Sequence, residues 1–407
     1  MAHEWRAAIV VLAAATLFGT ACRADDEPDA APDDASIGAP AGASSYEAVV
    51  YALAADEMQG RDNQTEGSAL AQDFLIEQLT EFAQPLADGA TGDAAFRRDF
   101  AAGTNILGLI PGGERADEYV ILGAHYDHLG RECRPDDRDD TLCNGAADNA
   151  AGVAAVLEVG RALAADDDPP ARSVILAFWD AEEDGLLGSK AYVDDPEVPL
   201  ERTTAYLNWD IQGANLAPSL AGMTVMVGAE TGGPNLVQAA NDATSASSLR
   251  TLPLSLLFGQ GRSDHVSFVD AGVPTVFFTD ATAACYHTPQ DDVSVVDFDK
   301  LGQQIATAQA LTRELANADS VPSFVGGAAT ATYEDAVSLL EIVRQGQEDL
   351  RLLPGYETSV TRFLVDLEDM VDAGSEAFGD DAIGTLLGGA VVLVEALTTG
   401  DCDGFLR

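Results

Sequence analysis

Positive charge is scarce in this sequence: 21 lysines and arginines stand against 68 aspartates and glutamates, and the only lysines are Lys190 and Lys300. A formal charge of −47 excludes nucleic acid and an anionic membrane surface as partners, since both are held through a basic face. Long apolar runs are also missing after the amino terminus. The late stretch Ala382–Val394 is glycine-rich and too short to cross a hydrocarbon core of about 30 Å. Histidine is rare as well. The chain has five, and with His3 in the amino-terminal segment only His125, His128, His265 and His287 remain, so the place of each is informative.

Apolar residues are plentiful. A hydrophobic share of 47% over 407 residues allows a large core, in one big domain or two smaller ones. The amino terminus reads as a targeting segment. Arg6 precedes the apolar run Ala7–Phe18 and then Gly19-Thr20-Ala21-Cys22, which resembles a secretory signal ending in a bacterial lipobox, with Gly19 where leucine is usual. Residues 1–21 are expected to be removed and Cys22 to carry a lipid, which would be the chain's only membrane contact. The mature protein is then exported, either anchored at the periplasmic or cell surface or secreted. Residues 22–44, with Asp25–Ser44 almost free of bulky apolar side chains, read as a disordered acidic tether. In an oxidising compartment Cys133 and Cys143 are expected to pair across a short polar loop, while the state of Cys285 and Cys402 stays open.

Beyond the tether the pattern is α/β. Tyr46–Ala55, Ala69–Phe82 and Asn149–Ala165 carry helical spacing of apolar residues. Asn105–Ile110, Tyr119–Leu122, Ser173–Trp179, Thr203–Asn208, Met223–Val227 and Pro274–Phe278 read as strands. The alternation predicts a mostly parallel or mixed central sheet with helices on both faces, over residues 45–320. Residues 321–407 show helical patterns only, at Tyr333–Leu352, Val360–Ala373 and Asp381–Leu397, and form a helical C-terminal extension.

The acidic and imidazole side chains gather at predicted strand ends. Ala177–Ser189 (AFWDAEEDGLLGS) places Glu182 and Glu183 just past a buried strand, at the sheet edge where ligands bind in open α/β folds. Ala124–Gly130 (AHYDHLG) offers His125, Asp127 and His128 after a strand. Asp148 in NGAADNAAG precedes a helix, Asp210 in LNWDIQG follows a strand, and His287 lies beyond the last strand in ACYHTPQDD. One such residue alone is ordinarily exposed or structural. Five such segments in one chain describe a metal centre.

The order of these motifs resembles the M28 family of zinc-dependent exopeptidases, the group of the bacterial leucyl aminopeptidases and glutamate carboxypeptidases, with a zinc exopeptidase (phosphorylase/hydrolase-like) fold. The resemblance runs from about Ser44 to Ala318 and includes LAADEMQGRDNQTEGS at Leu53–Ser68. It implies two zinc ions bridged by Asp148, with His125 and Asp210 on one and Glu183 and His287 on the other. It also implies that Glu182 is the general base and that Asp127 orients His125. Chemistry agrees: two dications ~3.5–4 Å apart need a shared anion, and a glutamate bound to metal cannot also shuttle protons, whereas its neighbour can. Here Ala147 stands where the family often has an aspartate.

Tyr286, His265 and Arg262 are candidates for the substrate site, and His128 is unassigned. The reading is an exported aminopeptidase acting on peptides. A carboxypeptidase of the same fold, a one-zinc glutaminyl cyclase-like acyltransferase and a non-catalytic binding domain are the alternatives. An aminopeptidase needs acid left over for the substrate ammonium, and Glu182 and the Asp136–Asp140 loop could supply it. A carboxypeptidase needs a cationic clamp, for which Arg262 is best placed.

Overall fold

The structure, a computed structural model, describes residues 39–86, 91–133, 140–259, 261–282, 284–327, 330–352, 359–398 and 402. The leader, Cys22, the tether up to residue 38 and the acidic segment 134–139 lie outside the described residues.

Among the described residues nine strands form one sheet: β1 (Gln84–Pro85), β2 (Arg97–Phe100), β3 (Gly103–Ile110), β4 (Arg115–His125), β5 (Arg172–Trp179), β6 (Thr203–Trp209), β7 (Met223–Val227), β8 (Arg250–Leu254) and β9 (Thr275–Thr279). The spatial order is β1-β3-β5-β4-β6-β9-β7-β8, with β2 paired to β3. Strands β5, β4, β6 and β9 are parallel, whereas β3 and β7 run antiparallel to their neighbours β5 and β9. The mixed sheet expected from sequence is present. In its parallel centre every residue of β5 and β6 is buried, as strands covered on both faces must be. The two edges each carry a proline, Pro85 in β1 and Pro253 in β8. Proline lacks an N–H, so it fits a strand with one unpaired side and blunts further pairing.

Eleven helices are described: α1 (Ser45–Leu53), α2 (Glu66–Thr80), α3 (Ala151–Ala164), α4 (Leu187–Asp194), α5 (Gly233–Ser245), α6 (His265–Asp270), α7 (Phe298–Asn317), α8 (Tyr333–Gln345), α9 (Gln347–Leu350), α10 (Thr361–Ala373) and α11 (Asp380–Thr398). One core joins α1, α2, α3, α5 and α7 to the sheet through residues such as Val120, Leu122, Val174 and Leu207. A second, around Ile121, Ile175, Trp179 and Tyr206, packs Tyr192 of α4 and Phe268 of α6 against the opposite face. The alternation of side chains along each strand divides them between these layers. Among the described residues no helix is long and apolar enough to cross a membrane.

Several boundaries differ from expectation for local reasons. Strand β4 continues to His125 itself. Asn149 is not helical: its side chain caps α3, accepting from Gly152 N at 3.1 Å and donating to the Trp209 carbonyl at 2.9 Å. The helix expected over Tyr333–Leu352 breaks at Gly346 into α8 and α9. Strand β8 escaped the sequence reading because Pro253 argues against a central strand, and β8 is an edge. The extension is no detached bundle, since α8, α10 and α11 share a core with Val225, Val227, Leu252 and Phe277 of β7, β8 and β9.

One buried ion pair ties the sheet to α7. Lys300 Nζ lies 2.9 Å from Asp280, just past β9, and donates to the Ala214 carbonyl at 2.6 Å. One of only two lysines is thus committed inside the fold.

Candidate metal centre

The parallel strands end level with one another. His125 pairs with Trp179, Gly123 with Asn208, and Trp209 with Phe278, so whatever follows these positions meets at one edge. Strands β5, β6 and β9 each close on an aspartate followed by a residue in the left-handed region: Asp180-Ala181 (φ 55), Asp210-Ile211 (φ 59) and Asp280-Ala281 (φ 59). A positive φ is costly for a β-branched residue such as Ile211 and persists only where its surroundings enforce it. These turns re-aim the chain across the sheet edge instead of away from it. Glu182 and Glu183 therefore lie over β4, and Asp210 faces His125.

Two groups of ligand-type atoms result, each within 4.8 Å: His125, Asp148 and Asp210, and His128, Asp148, Glu183 and His287. Asp148 belongs to both. Its Oδ1 is 3.2 Å from His125 Nε2 and its Oδ2 is 3.3 Å from His287 Nε2. Asp210 Oδ1 is 3.2 Å from His125 Nε2, and Glu183 Oε2 is 3.2 Å from His287 Nε2. Ligands ~2.0–2.1 Å from a tetrahedral zinc are themselves about 3.3 Å apart, which matches this spacing. His287 Nε2 is buried without an aligned hydrogen bond, as expected of a lone pair kept for a metal. The residues present fit a pair of zinc ions sharing one carboxylate.

The side chains beneath the ligands hold them in place. The Asp127 carboxylate lies 3.5 Å from His125 Nδ1 and accepts the backbone N–H of Glu182 at 3.1 Å and of Glu183 at 3.2 Å. It thereby locks two motifs far apart in sequence. Asp291 accepts from the N–H groups of Ala147 at 2.8 Å and Asp148 at 3.1 Å. Arg61 is fully buried and donates to the carbonyls of Leu53, Tyr126, Asn144 and Gly145, clasping the segments that deliver His125 and Asp148. Neither Arg61 nor Asp291 was singled out from sequence, because each acts on backbone that only folding brings near. His128, unassigned from sequence, places Nδ1 2.7 Å from Glu183 Oε1. Its spacing of three from His125 was the available signal.

The electrostatics call for positive charge. Burial disfavours an imidazolium at His287, yet the carboxylates of Asp148 and Glu183 outweigh it and raise the ring to about 10. Burial and Asp148 would raise Glu183, but His128 and His287 bring it to about 2. At Asp210 burial prevails and pushes the carboxyl up. Burial also drives Glu182 well above the usual carboxylate range; His125 opposes this, and Asp264, Asp210 and Glu183 add to it. Arg61 falls to about 10 because burial outweighs its acidic neighbours.

A cavity of about 410 Å³ opens on these groups and is lined by Asp148, Glu182, Glu183, Asp210, Tyr286 and His287 among others. Arg262 is an exposed part of the same lining. Tyr286 is stacked on His287 with ring centroids 3.7 Å apart. His265 does not face the cavity as the sequence reading had it. It opens α6, is fully buried, and stacks at 4.5 Å on Phe277, a lining residue, while burial pushes its ring down to about 3. Disulfides join Cys133 to Cys143 and Cys285 to Cys402.

Residues 105–312 match the profile of the family described as Peptidase family M28. The chain is 33% identical over 201 residues to a probable glutamate carboxypeptidase, LAMP1, of Arabidopsis thaliana, covering 46% of this chain and 27% of that protein. It is 29% identical over 229 residues to the aminopeptidase YwaD of Bacillus subtilis, covering 54% of this chain and 46% of that protein. The chain thus spans less than half the length of these curated relatives. In fold it is similar to the LapA aminopeptidase of Legionella pneumophila, with a TM-score of 0.55 at 17% identity over 68% of this chain and 70% of that chain.

Because Asp148 belongs to both ligand groups, Asp148→Ala is expected to lower bound zinc from about two ions per chain to fewer than one, measured by elemental analysis after dialysis. A folded variant that retains two ions would assign the bridge elsewhere.

Proposed function

The chain belongs to peptidase family M28, and from that premise we propose that it is a two-zinc exopeptidase that removes N-terminal residues from peptides. The observation that carries this reading is the pair of ligand groups sharing Asp148, with Glu182 beside them on the wall of the same cavity. When bound, two zinc ions would polarise the scissile carbonyl and acidify the attacking water. The protein's own residues do the rest. Asp148, His125, Asp210, Glu183 and His287 hold the metals. Glu182 takes a proton from the water on its carboxylate and returns it to the leaving amine, and burial holds that carboxyl well above the usual carboxylate range. Asp127 keeps that carboxylate in place through the Glu182 N–H. Two complete ligand groups favour this reading over a one-zinc cyclase or a non-catalytic domain.

The end of the substrate is argued from charge. Among the described lining residues Glu182 is the carboxylate left over by the metals for a free α-ammonium, whereas a terminal carboxylate would find one arginine, Arg262. Arg262 keeps carboxypeptidase action as the second reading, since a guanidinium fork suits a carboxylate. Two disulfides favour an oxidising compartment, and with the leader they support export with Cys22 as the lipid-bearing residue.

Glu182→Gln is expected to keep its zinc and lose kcat by at least ~10²-fold, the low end for general acid–base catalysis. Near-normal turnover with full metal content would remove Glu182 from that role. Acetylating the N-terminus of a good peptide substrate is expected to abolish hydrolysis, and amidating its C-terminus to matter little. The opposite dependence would make Arg262 the carboxylate clamp and the enzyme a carboxypeptidase.

A further inference from the structure

The cavity at the metal centre is not built by the strand-edge motifs alone. Its floor is the sheet face carrying Val225, Val227 and Phe277, and its far wall is Leu339 and Ile342 of α8 with Leu393 and Leu397 of α11. These wall residues are themselves buried, Leu339 and Leu393 at 5% exposure and Ile342 at 6%, in the core that α8, α10 and α11 share with Val225, Val227, Leu252 and Phe277 of β7, β8 and β9. The family match ends at residue 312, so the wall comes from chain outside it. A covalent link also joins the two sides. Cys402, a few residues beyond α11, is bonded to Cys285, two positions before the ligand His287 and next to Tyr286.

We propose that the C-terminal helices set which substrates are accepted: Ile342 and Leu393 bound the pocket for the side chain of the residue being removed, and the Cys285–Cys402 disulfide fixes that wall against the His287 loop. The inference rests on the exopeptidase reading above and deepens it. The wall offers only apolar contacts, so the side chain it selects is large and aliphatic or aromatic. A charged side chain placed there would lose its hydration without gaining a partner. A volume of about 410 Å³ lies toward the small end for ligand sites, which run from about 300 to 1,000 Å³. Such a space accommodates one amino-acid residue and the start of the next. A pocket closed on one side by helices from a separate stretch of chain has a width set by how firmly those helices are held, and the disulfide bonds that stretch to the segment carrying Tyr286 and His287.

The test uses the full zinc-loaded chain. Ile342→Phe narrows the pocket and Leu393→Ala widens it, so the second variant gives a reading if the first does not fold. Rates are compared for leucyl, phenylalanyl and alanyl p-nitroanilides, and calorimetry gives the affinities of leucine hydroxamate and glycine hydroxamate. Ile342→Phe is expected to lower the leucyl-to-alanyl ratio of kcat/KM by about 10-fold, as one or two methylenes do in an apolar pocket. It should shift the two hydroxamate affinities in the same proportion. Leu393→Ala should raise phenylalanyl relative to leucyl turnover. Replacing Cys285 and Cys402 together by serine should lower the leucyl-to-alanyl ratio at unchanged zinc content. Parallel changes for all substrates in the wall variants would overturn the pocket assignment, and an unchanged ratio in the cysteine variant would overturn the tether. If the protein hydrolyses no free peptide while Ile342→Phe still weakens leucine hydroxamate selectively, the exopeptidase reading falls and the pocket stands.

Discussion

Asp127, Asp148, Glu182, Glu183 and Asp210 converge on one sheet edge, where water is too sparse to screen their repulsion. Uncompensated carboxylates in such a place cost several kcal/mol each, of the order found for buried ions. The structure depends on what offsets that cost. Arg61 supplies a fixed charge beneath the cluster, and His287 is driven to about 10 by its acidic neighbours. A metal pair would do the same work with more charge, and the spacing around Asp148 suits it. Asp148 is the residue on which this balance turns, since both ligand groups close on it and neither is complete without it.

The backbone makes such crowding possible. Four parallel strands ending in register would send their connections outward. Positive φ at Ala181, Ile211 and Ala281 turns three of them back over the edge, and Asp127 and Asp291 then fasten the returning segments through backbone N–H groups. Conformational strain at these turns and like-charge crowding at the centre are held by the same rigid sheet, whose strands β5, β6 and β9 are wholly buried. Local stability is spent where chemistry needs it.

Much of this was legible in the chain itself. Buried strands read as unbroken apolar runs, and although one acid or histidine at the end of such a run is ordinarily exposed or structural, several of them in one chain point to ligation. That logic found His125, Asp148, Glu182, Glu183, Asp210 and His287, all of which border one cavity or one ligand group in the fold. It missed Arg61 and Asp291, whose partners are backbone atoms distant in sequence. It misplaced His265, because a histidine opening a short helix looks the same in sequence whether its ring faces a cavity or stacks beneath one. The apolar stripes of α8 and α11 announce only that they will be buried, and whether they bury against each other or beside a metal centre depends on packing.

Whether one carboxylate, that of Asp148, joins two metals is tested most directly by X-ray absorption at the zinc edge of the fully loaded protein. A bridged pair gives two zinc ions per chain and a zinc–zinc scattering path at about 3.5–4 Å. Full loading with one ion, or two ions with no metal–metal path at that distance, would contradict it.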